Sequence, residues 1–378
     1  MAQDNNVKAF LALLRAGLWE QVNDNVNDNE NFVDGLSVNW ADVIRLAEEQ
    51  SVVGLVTAGV EKLPACTFFT ESNSNQRCSV PFQGIPLTEK LTLLGKCQLI
   101  EQRNMAQNQF IGALIQKLNA AGIKAILVKG QGIAQCYTKP LWRKSGDVDL
   151  FFDADSYRNA VDLLKPLASD CKHEGRYSKH LGLTIDSWYI ELQGTQRVGL
   201  SSRLERMIDA VQRDTFENNR ARLWHNGDVD VLLPAPDSDV FFVFTHFLKH
   251  FFKEYGFCLR QLCDWCRLLW TYREVIDAAL LEQRLRKAGL MSEWKAFAAL
   301  AVEHLGMPIE AMPLYDSGKK WSKKAEKILA FAFDNSKHGK LRNTLSVAKI
   351  FPCDTLRFLP GIIWEVNGMK IWQRLFNN

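Results

Sequence analysis

A short run of β-forming residues, "DVDLFF" from Asp147 to Phe152, carries two carboxylates at alternate positions, Asp147 and Asp149. Alternate residues of a strand share a face, so these acids point one way while Val148, Leu150 and Phe152 point the other. One face of the strand is therefore core. The other is a pair of like charges that repel unless a cation lies between them. Either the two acids are simply solvated at the surface or they hold metal, and both readings call for a sheet with one packed face and one charged edge.

The flanking sequence orders the chain as helices, a strand-rich middle and helices again. Val7, Phe10, Leu11, Leu14 and Leu18 recur at helix spacing, and a second amphipathic stretch follows Asn39 with Val43, Ile44 and Ala47. Leu63–Pro86 breaks this periodicity with prolines and a polar tract and reads as a surface loop. Leu87–Ala121 is again helical and stops at Gly122, a natural left-handed cap. Strands are predicted at Lys124–Val128, at the acid pair, through Leu183–Gly194, and in "NGDVDVLLP" from Asn226, taken as an exposed edge strand after an Asn-Gly turn. A short helix is expected around Ile133–Tyr137, and Asp155 is placed to cap a helix running through Leu164. From Asp237 onward the pattern is mostly helical. This order fits the α+β class: a small mixed sheet over residues 119–235 between helical regions at 1–118 and 236–378.

Composition narrows the function. The chain has 378 residues, enough for two to three units with sizeable cores. Its 46 basic and 43 acidic residues leave a net charge of +3, which gives no reason to expect a general nucleic-acid binder. The first residues lack a secretory pattern, and the most apolar run, "VFFVFTHFLKHFF", is interrupted by His246, Lys249 and His250. A cytoplasmic protein with no membrane partner is expected. Nine scattered cysteines, an odd number, suit free thiols better than a disulfide framework.

Oxygen-only ligands such as Asp147 and Asp149 suit Mg²⁺ or Mn²⁺, which also take substrate phosphates. A two-metal phosphoryl-transfer site usually adds a third carboxylate from elsewhere in the chain. Glu191 fits, because Ile190 and Leu192 flank it on the opposite face; Asp186 lies an odd number of residues away and would face the other side of a regular strand. Upstream, the glycines of "VKGQG", Gly130 and Gly132, allow backbone N–H groups to approach an anion. Lys129, Arg143 and Lys144 supply positive charge for a triphosphate.

The set "LVKGQGIAQCY", Pro140, Arg143, "GDVDLFF" and "IEL", followed by "THFLKH" and "LRQLCDW", resembles the uncharacterised bacterial nucleotidyltransferases of the polymerase-β-like superfamily. The resemblance runs from the second helix to about residue 270. It implies a nucleotidyltransferase core in which Asp147, Asp149 and Glu191 are the catalytic, metal-binding carboxylates and Lys129 with Gly130 forms the turn facing the triphosphate. It also implies transfer of a nucleoside monophosphate from an NTP to a hydroxyl acceptor (a small molecule, a sugar or a protein) with release of pyrophosphate. Two departures stand out. The gap from Gly130 to Asp147 is longer than in the compact pattern, with Lys and Gln around Gly130 in place of the usual Gly-Ser. Relatives also often carry Asp and His where this chain has Glu191 and Gln193.

Several other motifs have plain explanations. His246 and His250 share a helix face, but Phe247 occupies the place of the glutamate in a zinc-binding HExxH, so core positions, or positions beside the nucleotide, suit them better. Arg260 and Asp264 are spaced for an intrahelical ion pair, with the resemblance keeping a site-facing Arg260 in view. Cys263 and Cys266 form a lone C-x-x-C and read as buried thiols. Two other functions share the acid pair: a Mn²⁺-dependent glycosyltransferase, and a degenerate nucleotide-binding protein for which the altered glycine turn is the argument.

Overall fold

The computed structural model describes residues 2–20, 38–62, 85–172, 179–254, 257–334 and 340–360; all but the last two residues of the expected Leu63–Pro86 loop lie outside them. The described chain opens with helices α1 (Ala2–Leu18), α2 (Trp40–Glu49), α3 (Val53–Glu61) and α4 (Leu87–Ala120). Asn39 starts α2 by accepting the Asp42 N–H on its side chain. Helices α1 and α3 cross backbone to backbone: a Cβ on Gly17 would lie 1.8 Å from the Leu55 carbonyl oxygen, and one on Gly59 would lie 2.0 Å from that of Leu13. As its position predicts, Gly122 ends α4 at φ +70, and the N–H groups of Gly122 and Ile123 donate to the carbonyls of Asn119 and Leu118.

The middle of the chain carries β1 (Ile126–Val128), α5 (Gly130–Ala134), β2 (Val148–Phe151), α6 (Ala154–Leu164), β3 (Asp170–Cys171), β4 (His180–Ile185), β5 (Trp188–Gln193), α7 (Ser202–Glu217), β6 (Ala221–Asn226) and β7 (Val229–Pro234). The strands form one mixed sheet in the order β3-β4-β5-β2-β1-β7-β6. Strand β2 runs antiparallel to β1 and parallel to β5. Helices α8 (Pro236–Lys249), α9 (Leu259–Thr271), α10 (Ala278–Ala288), α11 (Met291–Leu305), α12 (Lys319–Phe333) and α13 (Lys340–Ile350) follow. The α+β class is the one expected. Among the described residues, no helix is long and apolar enough to cross a membrane.

Alternation divides the sheet as the sequence implies. Val148, Leu150 and Phe152, with Ile190 and Leu192, share a core with Ile115 and Leu118 of α4. On the opposite face Phe151 meets Phe216 of α7 and Phe242 of α8 edge-on, with ring centroids 4.8 and 5.9 Å away. Phe151 thus closes the inner part of the acid-bearing face, and Asp147 lies at its exposed end. Helix α8 is fixed by an aromatic cluster in which Phe244 lies 5.4 Å from Trp265 and 4.8 Å from Trp294. Such pairs contribute roughly 0.5–1.5 kcal/mol each beyond area burial.

Five local expectations are corrected. Leu183–Gly194 is not one strand but the greater part of a hairpin, β4–β5, turned at Asp186 and Ser187 with φ +49 and +68. Positive φ at both turn residues matches the twist of the flanking strands, and Asp186 is an exposed turn residue. Strand β7 is internal, pairing with β1 at Ile126 and Leu232, and β6 is the edge. The cap of α6 is Asp153, which accepts the N–H groups of Asp155 and Ser156, because its extended backbone precedes the first helical turn. Strand β1 begins at Ile126, not Lys124, and the helix after it at Gly130, not Ile133.

Candidate active site

Parallel pairing of β2 with β5 sets Asp149 beside Glu191, and cross-strand neighbours share a face. Glu191 therefore joins the acid pair from the adjacent strand. One oxygen from each of Asp147, Asp149 and Glu191 lies within 4.8 Å of the others; among the described residues this is the group able to hold a metal ion. Asp147 is exposed, Glu191 half-buried, and Asp149 forms the floor at 3% exposure. Burial, then the charge of Asp149, pushes Asp147 above the usual aspartate range. Asp149 is also raised, by burial first; Lys129 offsets part of this and Glu191 adds to it.

Lys129 does not extend outward. Its ammonium Nζ lies 2.9 Å from Asp149 Oδ1, with the side chain 18% exposed. Burial opposes its charge, but the carboxylates of Asp149, Asp147 and Glu191 outweigh that and raise its pKa. The backbone at Lys129 has φ +58 and ψ −145, close to a region that is essentially glycine-only. Gly130 follows at φ +42, and a Cβ there would sit 3.5 Å from the Asp147 carbonyl oxygen, so the turn abuts the start of the acid strand.

Gln193 ties the floor together, its Nε2 donating to Asp149 Oδ1 at 2.5 Å and to Glu191 Oε2 at 3.1 Å. The signal for it was present, since Gln193 follows Glu191 by two residues on the same strand. His180, opposite Gln193 on β4, has Nδ1 3.9 Å from Glu191 Oε2 and Nε2 3.2 Å from the Thr195 carbonyl. Burial, then the charge of Lys129, lowers its pKa. Sequence reasoning missed His180 because it missed the hairpin. His246 and His250 face each other, Nε2 to Nε2, at 2.9 Å. Burial and then Lys129 hold His246 well below the usual histidine range, so α8 brings His246 within reach of the Lys129 charge.

A family model described as an uncharacterised nucleotidyltransferase matches residues 37–306. The chain belongs to that nucleotidyltransferase family. Comparison with curated proteins and with solved structures gave no match.

The matched region of the nucleotidyltransferase also contains the frame that delivers Asp147. From α4, Asn104 Nδ2 donates to the carbonyls of Leu141 and Arg143 at 2.7 and 2.8 Å, and Gln107 Nε2 to that of Gly146 at 2.8 Å. Gln131 of α5 completes the network by donating to Asn104 Oδ1 and Gln107 Oε1 at 2.8 and 3.1 Å. Buried amides paired in this way rigidify the loop they hold.

Arg143 belongs to this frame, its guanidinium turned to Asp264. Its Nε and Nη2 donate to the two oxygens of Asp264, each at 2.7 Å, and Tyr137 donates its hydroxyl to Asp264 Oδ1 at 2.7 Å. The side chains of Arg143 and Asp264 are 4% and 7% exposed. Asp264 is thus not the intrahelical partner of Arg260, because the bidentate, buried guanidinium takes both its oxygens. Arg260 Nη1 instead donates to the Lys144 carbonyl at 3.0 Å, steadying the same loop, while the Lys144 side chain is exposed. Gly132 is a packing residue: a Cβ there would lie 2.7 Å from Leu233 Cδ2. Cys263 and Cys266 are buried free thiols that burial raises, as the lone C-x-x-C suggests.

Proposed function

We propose that this nucleotidyltransferase transfers a nucleoside monophosphate from an NTP to a hydroxyl acceptor, with Mg²⁺ or Mn²⁺ held by Asp147, Asp149 and Glu191. The observation that carries the proposal is the convergence of three carboxylate oxygens within 4.8 Å, a donor set that suits a hard divalent cation. When bound, such an ion neutralises charge on the phosphate oxygens. Lys144, exposed on the loop that leads to Asp147, and the backbone at Gly130 receive the triphosphate. The half-buried carboxylate of Glu191 takes the proton of the acceptor hydroxyl. The hydroxyl oxygen bonds to the α-phosphorus, the bond from that phosphorus to the bridging oxygen breaks, and pyrophosphate leaves; positioning and charge do most of the work. The helical regions on either side of the sheet select the acceptor.

The test is nucleotide-dependent thermal stabilisation and pyrophosphate release, with each NTP and Mg²⁺, in the full chain and in Asp147→Asn. The substitution should abolish both. Equal stabilisation by ATP and GTP in the variant and the native chain would locate the site elsewhere. Release of nucleoside diphosphate from a nucleotide sugar would favour glycosyl transfer, a reaction that leaves Glu191 without a role.

A further inference from the structure

Asp149 Oδ1 already has two donors, Lys129 Nζ at 2.9 Å and Gln193 Nε2 at 2.5 Å. A carboxylate oxygen offers about two acceptor sites, so only the other oxygen of Asp149 remains for an ion. The charges agree. Asp147, Asp149 and Glu191 together carry three negative charges when ionised, the Lys129 ammonium cancels one, and the remainder matches one divalent cation. Two-metal phosphoryl-transfer sites hold ions about 3.5–4 Å apart on shared carboxylates, and here the ammonium occupies that shared ground. The backbone strain at Lys129, φ +58 and ψ −145, has no other evident return. Strain of this kind persists where the surroundings over-determine it and gathers at functional sites.

We infer that the Lys129 ammonium replaces one metal ion: the site takes a single Mg²⁺ or Mn²⁺ per chain, on Asp147, Glu191 and the free oxygen of Asp149. This rests on the metal-binding role proposed above for the three acids. Lys129 is then a resident cation beside the reacting phosphate.

Native mass spectrometry of the full chain with Mn²⁺ and an α,β-methylene analogue of ATP or GTP counts the ions, and electron paramagnetic resonance reports whether two manganese ions are coupled. Lys129→Gly is the variant of choice, since glycine adopts this backbone without strain, and its circular dichroism beside that of the native chain checks that it folds. One Mn²⁺ in the native chain and a coupled pair in Lys129→Gly is the expected result. Two ions in the native chain, lost in Asp147→Asn, would overturn the inference and leave the metal role of the acids standing. One ion in both chains would overturn it too, since the ammonium would not be what excludes the second. No bound Mn²⁺ in the native chain would overturn both the inference and the metal role.

Discussion

Replacing Asp264 with Leu should destabilise the protein by about 3–5 kcal/mol, the usual effect of removing one partner of a buried ion pair. At 2.7 Å the attraction between unit charges is about 6 kcal/mol at an effective dielectric of 20. Desolvating each ion opposes this by several kcal/mol. The net worth of the pair is therefore small, while either half left alone is expensive. Asp264→Leu strands a guanidinium that is 4% exposed and takes the acceptor from the Tyr137 hydroxyl. Arg143→Met strands the carboxylate. The double substitution should be no worse than either single one, a coupling of about 3 kcal/mol or more in a double-mutant cycle, at the top of the range for residues in contact. Urea unfolding of the four proteins supplies the stabilities, and steady-state kinetics shows where activity is lost. Both single variants should lower kcat, because the loop leading to Asp147 slackens. If Arg143→Met lost less than about 1 kcal/mol and raised only the KM for the nucleotide, the guanidinium would be a triphosphate ligand and the structural role argued here would be wrong.

Acid should weaken metal binding earlier than ordinary aspartates would allow. Asp147 and Asp149 are both raised in the fold, so Mn²⁺ affinity measured against pH should begin to fall while the pH is still above the usual aspartate value of about 3.9. The metal-free protein should respond in the opposite sense: with folded values above unfolded ones, these groups bind more protons when folded, and their contribution to stability declines as pH rises through that window. Urea unfolding in chelator at a series of pH values checks the sign. Glu293 sets a second window. Burial, then Asp354, raises it to about 8 despite Arg357. Its contribution is complete below the unfolded value and is lost as pH rises through about 8. Glu293→Gln should flatten the stability profile over that range, and an unchanged slope would refute the assignment.

The acid triad was legible because its signal has period two and is local: Asp147 and Asp149 alternate with Val148 and Leu150, and Glu191 sits between Ile190 and Leu192. Asn39 and Gly122 were legible for the same reason, each fixing one helix end by its own chemistry. The hairpin was not. Asp186 and Ser187 carry positive φ without a glycine to announce it, so the turn is imposed by strand pairing and not by intrinsic preference. Arg143 and Asp264 lie 121 residues apart, and the local spacing of Arg260 to Asp264 pointed elsewhere. An exposed intrahelical pair is worth only a few tenths of a kcal/mol, too little to hold Asp264 against a buried bidentate guanidinium and a tyrosine hydroxyl.

The expectation that metal makes the charged face of β2 tolerable needs a narrower form. Asp149 is 3% exposed, yet its carboxylate is met by Lys129 and Gln193 from the protein itself. A buried charge with a partner and a hydrogen-bond donor escapes most of the penalty of an orphaned one. Asp147, at the exposed end, keeps access to water. The sheet can therefore form before any ion arrives, and what remains for the ion is the residual repulsion among three carboxylates. On this account metal binding adds stability to an already folded chain, in contrast to small zinc domains whose folding requires the ion.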